Sequence, residues 1–153
     1  MKIYIMRHAE AGYSSSSDET RTLTKYGEKQ CEVVAFWFAQ QDISFGLAMV
    51  SPYHRAQQTC TIISNRIQID EVNISESLTP AGNPTEITRT IIDLAMESKL
   101  ESLLVVSHLP LVGYLVNELY PYSSPPMFST ADVVCLSIDH HGEVFYEWLH
   151  HQN

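Results

Sequence analysis

Short β-prone runs alternate with segments of helical periodicity along most of this chain, and this alternation restricts the fold more than any other feature. The run Leu103–Ser107 (LLVVS) is apolar at consecutive positions, which is typical of a strand buried on both faces of a parallel sheet. Helical periodicity is clearest after Thr24, where apolar residues between Cys31 and Phe38 recur at spacings of i, i+3, i+4 and i+7. The chain therefore predicts strands and amphipathic helices in turn.

The predicted elements follow the order β-α-β-α-α-β-α-β-β. They are a strand over Lys2–Met6, a helix capped by Thr24 and running to about Gln41, a strand over Phe45–Ser51, helices over about Arg55–Arg66 and about Thr85–Met96, a strand over Leu103–Ser107, a helix with Pro110 in its first turn and running to about Leu119, and strands over Val133–Ile138 and Val144–Leu149. Glu10–Arg21 is predicted to be a loop, and Val72–Pro80 to be extended or loop.

This order predicts an α/β fold, a three-layer sandwich in which helices flank a mostly parallel sheet. The turn Asp139-His140-His141-Gly142 between the last two strands indicates a C-terminal antiparallel hairpin. A chain of 153 residues is long enough for one compact domain with a core but short for two. Since no repeat or linker is visible, we expect a single domain over residues 1–153.

Composition and charge restrict the class of partner. Apolar residues make up 44% of the chain and charged residues 18%, which is typical of a globular protein. With a formal net charge of −9, the chain has no general electrostatic affinity for nucleic acid or anionic lipid. We therefore expect neither a nucleic-acid nor a membrane partner. Any phosphate site must be a local cluster drawn from only nine lysines and arginines.

The cysteines and the N-terminus bear on location. Cys31, Cys60 and Cys135 are odd in number and widely spaced, so they fit no disulfide framework or zinc motif and are predicted to be reduced. The first residues lack the long apolar run and small-residue cleavage site of a signal peptide. We therefore expect a cytoplasmic protein, and we expect it to be a monomer.

Three predicted strands end in polar residues that a core strand would not require. The first ends at Arg7-His8, the second at Ser51-Pro52 before Arg55, and a later one at Ser107-His108. Because ligands in α/β folds bind beyond the carboxyl ends of parallel strands, two arginines and two histidines should converge at one edge. The helix after His108 would add free N–H groups, so the sequence predicts an anion site at this edge.

These residues also resemble the motifs of a known family. Arg7-His8-Ala9 after an N-terminal strand is similar to the Arg-His-Gly signature of the histidine phosphatase superfamily, which has the phosphoglycerate mutase-like fold. Ser51–Thr59 (SPYHRAQQT) and Val106–His108 resemble its second and third motifs, and the resemblance spans essentially the whole chain. Arg21–Thr24 and Ser107–Pro121 most resemble the small phosphohistidine phosphatases of this superfamily. Ala9 in place of Gly is a mild departure unless the backbone there needs a positive φ.

The resemblance implies roles for the residues at the predicted anion site. His8 would be the catalytic nucleophile, Arg7, Arg55 and His108 would be catalytic and bind the transferring phosphoryl group, and Arg21 would help to bind substrate phosphate. The chemistry agrees, because neighbouring arginines disfavour protonation of His8 and keep it neutral near pH 7. Phosphoryl transfer mainly requires positioning and charge neutralisation, which arginine forks supply. No cofactor is expected.

A metal site is the chief chemical alternative. His140, His141, His150 and His151 could bind a metal ion, but no Cys or acidic partner stands at ligand spacing from them. The first pair falls in the predicted hairpin turn and the second pair in the C-terminal tail. We therefore expect no metal.

Three functions fit these observations. The first is a phosphatase acting on phosphohistidine of a protein, the resemblance implying a histidine phosphotransfer domain of two-component signalling or a phosphocarrier protein. The second is a phosphatase or mutase for small phosphate esters, and the third is a non-catalytic phosphate-binding module. An ester releases an alkoxide and needs a general acid, for which Glu76 is the nearest candidate, whereas phosphohistidine releases a stable imidazole. The third function conflicts with His8, because a site that only binds phosphate has no reason to place a nucleophile among arginines.

Overall fold

The computed structural model describes residues 1–152, in which six strands and four α-helices follow one another. In chain order they are β1 (Lys2–Arg7), α1 (Lys25–Gln40), β2 (Phe45–Val50), α2 (His54–Ser64), β3 (Ile69–Ile74), α3 (Pro84–Glu97), β4 (Ser102–Ser107), α4 (Leu111–Leu119), β5 (Val133–Ile138) and β6 (Val144–His150). A 3₁₀ turn over Glu76–Leu78 connects β3 to α3. No helix among these residues has the length and apolar character needed to cross a membrane.

All six strands form one sheet in the order β3-β2-β4-β1-β5-β6. The pairs β2–β3, β2–β4 and β1–β4 are parallel, while β1–β5 and β5–β6 are antiparallel. Gly142 takes a φ of +83° in the turn between the last two strands, a conformation that glycine adopts at little cost. The predicted mostly parallel sheet with a C-terminal antiparallel hairpin is confirmed.

Helices cover both faces of the sheet. One core lies between the sheet and the pair α1 and α2, whose buried side chains include Phe38 and Ile63. The other core lies between the sheet and the pair α3 and α4, with Ile91 and Leu115 among its buried side chains. Alternate residues of β4 belong to the two cores, which explains why its sequence is apolar at successive positions. The three-layer sandwich is therefore confirmed.

The strand register brings the carboxyl ends of β1, β2 and β4 level with one another. Arg7 is paired with Ser107, and Val50 is paired with Val106. Backbone hydrogen bonds extend this alignment by one residue, because the N–H of His8 donates to the carbonyl of Ser107 at 2.9 Å. The residues that follow these three strands therefore lie at the same edge of the sheet.

Two local features differ from the predicted elements. The segment Val72–Pro80 is extended and then turns, as predicted, but its first three residues belong to β3, an edge strand of the sheet that the sequence does not predict and whose side chains are almost all exposed. Such a strand is held by backbone pairing with β2 and lacks the apolar signal that the sequence could reveal. Pro110 immediately precedes α4, whereas the sequence predicts it inside the first turn. The cap of Thr24 is confirmed, since its Oγ1 accepts from the N–H of Gly27 at 2.9 Å.

Candidate active site

The polar residues at the carboxyl edge of the sheet line a cavity of about 370 Å³. Its wall includes Arg7, His8, Tyr13 and Arg21, among other residues. A larger concavity of about 670 Å³ lies at the amino ends of β2 and β4, but no histidine or arginine lines it. The side chains able to perform phosphoryl chemistry are therefore concentrated at the edge that the sequence predicts.

The imidazole of His8 is held in one tautomer by its two neighbours. Nδ1 lies 2.7 Å from the carbonyl oxygen of Ala9, and Nε2 lies 3.2 Å from Nε of Arg55. A carbonyl oxygen can only accept and a guanidinium can only donate. The proton of His8 is therefore on Nδ1, and its lone pair is on Nε2.

The pKa of His8 is lowered to about 4, mainly because the imidazole is buried and to a smaller extent because Arg55 and Arg7 are close. The hydrogen bond to Ala9 acts in the opposite direction. The sequence predicts a neutral His8 from neighbouring cations alone, and the structure assigns the larger share to burial, with only 6% of the residue exposed. At pH 7 this side chain is a neutral imidazole.

The three arginines predicted at the site are brought together around His8. Arg55 is almost completely buried, and its Nε contacts His8. Arg7 donates from Nη1 to the carbonyl of Phe128 at 3.0 Å, whereas its Nε is buried and has no hydrogen-bond partner among residues 1–152. Arg21 donates from Nε to the carbonyl of Gly12 at 2.9 Å and also lines the cavity.

His108 lies beside His8 and is equally well buried. The centroids of the two rings are 5.0 Å apart, and only 1% of His108 is exposed. Nε2 of His108 is 2.7 Å from Oγ of Ser51, while its Nδ1 is buried without a partner in the described part of the chain. Burial, followed by the proximity of His8 and Arg55, lowers the pKa of His108 to about 3. In the structure as described, His108 is therefore neutral.

The structure places two carboxylates at the site that the sequence does not single out. Glu10 lines the cavity and accepts from Oγ1 of Thr24 at 2.8 Å, and Asp18 contacts the arginines. Asp18 lies in the serine-rich loop, and its carboxylate contacts Nη1 of Arg21 at 3.2 Å and Nη2 of Arg55 at 3.3 Å. The backbone carbonyl of Asp18 also accepts from Nη1 of Arg55 at 2.6 Å. Slight burial raises the pKa of Asp18, but hydrogen bonds from Arg21 and the charge of Arg55 outweigh it and lower that pKa. Its only signal in the sequence is its position three residues before Arg21.

Ala9 fits the backbone of the site. It is completely buried, its N–H donates to Oγ1 of Thr59 at 3.1 Å, and its φ is not positive. The replacement of Gly by Ala therefore introduces no left-handed strain.

Glu76, the candidate general acid, is exposed in the 3₁₀ turn that follows β3. The carbonyl of Leu78 in the same turn accepts a hydrogen bond from Oγ of Ser107.

The histidines of the C-terminal region have contacts of their own. His150 stacks on Trp37 with ring centroids 3.7 Å apart, and Nδ1 of His151 lies 2.6 Å from the carboxylate of Asp132. The other two, His140 and His141, lie in the hairpin turn. Among residues 1–152, no group of three or more His, Cys, Asp or Glu side chains has a geometry that could hold a metal ion.

Two sequence relatives match almost the whole chain. Phosphohistidine phosphatase SixA of Escherichia coli is 35% identical over 149 residues, which cover 97% of this chain and 92% of that protein. The phosphohistidine phosphatase SixA homolog of Haemophilus influenzae is 36% identical over 147 residues, which cover 91% of this chain and 89% of that protein.

A solved structure and a family model agree with these relatives. The structure of the protein histidine phosphatase SixA complexed with tungstate superposes with a TM-score of 0.93 at 35% identity, covering 97% of this chain and 96% of that chain. Residues 3–80, which contain β1, β2 and the first two sequence motifs, match the model of the histidine phosphatase superfamily (branch 1). With His8, Arg7 and Arg55 gathered at the edge where that family's motifs fall, the chain belongs to the histidine phosphatase superfamily.

Proposed function

We propose that this chain is a protein phosphohistidine phosphatase, which moves a phosphoryl group from a histidine of its substrate onto Nε2 of His8 and then to water. The observation that carries the proposal is the state of His8, which is buried and neutral and holds its lone pair on Nε2. A site that only binds phosphate has no use for such a nucleophile between arginines. The names of the two SixA relatives support the same substrate class.

In the first step Nε2 of His8 attacks phosphorus. The bond between phosphorus and the substrate imidazole breaks, and its electron pair stays on the departing nitrogen. Nε of Arg55, which donates to Nε2 before substrate binds, turns its N–H to a phosphoryl oxygen. The hydrogen bond from Nδ1 to Ala9 is kept, so that the ring remains aligned while it becomes positively charged.

In the second step water attacks phosphorus on phospho-His8. The electron pair of the P–N bond returns to Nε2, both hydrogens of the water stay on the released inorganic phosphate, and His8 is again neutral with its proton on Nδ1. The low pKa of His8 favours this step, because a weakly basic imidazole is a good leaving group. Two easier displacements thus replace one difficult displacement.

The phosphoryl oxygens would be bound by Arg7, Arg21, Arg55 and His108. Two buried nitrogens at this edge, Nε of Arg7 and Nδ1 of His108, have no partner within residues 1–152, and an oxyanion would supply acceptors for both. Arginine remains protonated throughout the physiological range, so the positive charge does not depend on a titrating group. This arrangement supports charge neutralisation of the transferring group without a metal ion.

The carboxylates near the site favour phosphohistidine over phosphate esters. An alkoxide leaving group needs a protonated acid, but Asp18 has a lowered pKa and is ionised at pH 7. The carboxylate of Glu10, which lines the cavity, accepts a hydrogen bond from the hydroxyl of Thr24. Glu76 is exposed and accepts no hydrogen bond that would hold it toward the cavity in the described structure. A substrate imidazole that carries a proton on its other nitrogen leaves as a neutral molecule and needs no such acid.

The proposed substrate is a protein of two-component signalling with a histidine phosphotransfer domain, or a phosphocarrier protein. A cavity that opens at the edge of the sheet suits a phosphohistidine presented by a protein surface. Cys31, Cys60 and Cys135 are buried free thiols, which supports a reducing, cytoplasmic location. We propose that one domain, acting as a monomer, performs the reaction.

The proposal is tested with several phosphohistidine proteins, a phosphoserine protein and a sugar phosphate, all in the presence of EDTA. Wild type should release phosphate from at least one phosphohistidine protein far faster than from the two esters. His8→Ala should abolish turnover, whereas His140→Ala removes an exposed histidine from the distant hairpin and should not. Acid-labile phosphate on His8 should be detected by mass spectrometry after a brief reaction. Substantial hydrolysis by His8→Ala would show that another group attacks phosphorus.

A further inference from the structure

A buried hydroxyl lies against the second histidine of the site. Ser51 is completely buried at the carboxyl end of β2, and its Oγ is 2.7 Å from Nε2 of His108. The same Oγ accepts a hydrogen bond from the backbone N–H of Tyr53 at 3.2 Å. Ser51 is the first residue of the motif Ser51–Thr59, but the proposed reaction assigns it no role.

Counting protons determines the direction of the hydrogen bond between Ser51 and His108. If Nε2 of His108 carried the proton, both that N–H and the N–H of Tyr53 would donate to Oγ. The hydroxyl proton of Ser51 would then need another acceptor, and none is found for it among residues 1–152. In that form two buried groups would lack partners, the O–H of Ser51 and the lone pair on Nδ1, whereas only the N–H on Nδ1 lacks one if the hydroxyl donates to Nε2. Each buried polar group without a partner costs about 1–3 kcal/mol, so the hydroxyl donates to Nε2. The proton of His108 is therefore on Nδ1.

The consequence of this tautomer is a free donor on the opposite side of the ring. Nδ1 of His108 is the nitrogen that is buried without a partner in the described structure. The ring is packed between Tyr53 and His8, whose centroids lie 5.1 Å and 5.0 Å away, so its plane is fixed. Before an anion binds, the pKa of His108 is near 3, so the imidazole carries one proton at pH 7 and a donor at Nδ1 comes from the tautomer.

We propose that Ser51 is a positioning residue whose hydroxyl fixes His108 in the Nδ1–H tautomer, so that Nδ1 presents a hydrogen-bond donor to the transferring phosphoryl group. In the opposite tautomer, Nδ1 would present a lone pair to the phosphoryl oxygens and repel them. The kinetic part of this inference rests on the proposed function, whereas the tautomer itself does not.

The tautomer is measured directly by NMR on protein labelled with ¹⁵N at histidine. Long-range ¹H–¹⁵N correlations distinguish a nitrogen that carries a proton from one that carries a lone pair, and a His108→Gln variant identifies the signals of His108. At pH 7 in wild type, Nδ1 should carry the proton and Nε2 the lone pair. A proton on Nε2, or a doubly protonated ring, would overturn the proposal.

Ser107 offers a matched control for a Ser51→Ala variant. Both serines are completely buried at the end of a central strand, but Oγ of Ser107 donates to the carbonyl of Leu78 at 2.7 Å and contacts neither histidine nitrogen. Ser51→Ala should shift His108 toward the Nε2–H form, while Ser107→Ala should keep the wild-type tautomer. If His108 remains in the Nδ1–H form in Ser51→Ala, the hydroxyl does not fix it and the proposal is wrong.

Kinetics then separate this inference from the function on which it rests. With a phosphohistidine protein, Ser51→Ala should lower kcat about 10–100-fold with a smaller change in KM, as is typical when a group that orients a site residue is removed. An unchanged kcat together with a shifted tautomer would overturn the positioning role. If wild type hydrolyses no phosphohistidine protein but shows the expected tautomer, the proposed function fails while the assignment of His108 stands.

Discussion

Asp18 should weaken the binding of oxyanions to this site, and its replacement by Asn should strengthen it. The carboxylate contacts both Arg21 and Arg55, and the backbone carbonyl of the same residue accepts from Arg55. All three nitrogens of the Arg55 guanidinium group are thereby engaged, because Nε donates to His8. An incoming oxyanion must therefore compete with the Asp18 carboxylate for the same two arginines.

The magnitude follows from the exposure of these ion pairs. The side chain of Asp18 is 53% exposed, so each of its two pairs with arginine contributes only about 0.2–1 kcal/mol after solvent screening. Removing both pairs should favour oxyanion binding by roughly 1 kcal/mol, which corresponds to about a fivefold lower Kd. Asn keeps the size of the side chain and one acceptor oxygen, so the loop should keep its conformation.

The assay is isothermal titration calorimetry with inorganic phosphate or tungstate at low ionic strength. Asp70→Asn is the control, because it makes the same change in net charge on an exposed residue of β3 that lines the concavity at the opposite end of the sheet. Asp18→Asn should bind more tightly than the control, and the difference should shrink as salt is added. Weaker binding by Asp18→Asn than by Asp70→Asn would refute the reasoning and show that Asp18 aligns the arginines.

Three further outcomes follow from the site. Phosphohistidine hydrolysis should persist in EDTA, and a loss of activity that a divalent ion restores would contradict the metal-free mechanism. Glu76→Gln should barely change phosphohistidine hydrolysis, whereas a loss of tenfold or more would make Glu76 a general acid. Because the pKa of His8 falls from 6.5 to about 4 on folding, the unfolded chain binds the extra proton between these values. As pH is lowered through that range, His8 alone should decrease the free energy of unfolding by about 3 kcal/mol, in addition to the contribution of His108. Chemical denaturation of wild type and His8→Asn checks this, since the variant should lose that part of the pH dependence.

The convergence of the motif residues at one edge of the sheet could be predicted from the sequence because it depends on regular structure. Once β1, β2 and β4 are parallel neighbours, the residues after them must meet at one edge, and the pairing of Arg7 with Ser107 leaves His8 and His108 side by side. The period of the helices likewise predicts which of their faces is buried. The periodicity of the apolar residues therefore predicts the fold class, and the positions of the strand ends predict that the motif residues converge.

The contacts of loops and hydroxyl groups could not be predicted in this way. Asp18 belongs to a polar segment whose pattern is typical of any solvated loop, and its approach to Arg55 depends on how residues 12–21 pack over the finished sheet. The hydrogen bond from Ser51 to His108 joins residues 57 positions apart, and no pattern in the sequence around either residue predicts it. The sequence does not reveal the exposed edge strand β3 for a related reason, because backbone pairing needs no particular side chains.

Under the proposed function, positive charge and nucleophilic attack belong to different residues, and this division would allow an acidic chain to hold a phosphate. The positive charge resides on arginines, which remain protonated at any physiological pH, while the histidines are buried and neutral. The net charge of −9 repels an anionic partner at long range, but at about 0.15 M salt that field is screened beyond about 8 Å. Contacts inside the cavity are screened much less, so the few local cations dominate once the phosphoryl group has entered. In the proposed reaction, His8 would therefore stay a neutral nucleophile over a pH range in which the charge around it does not change.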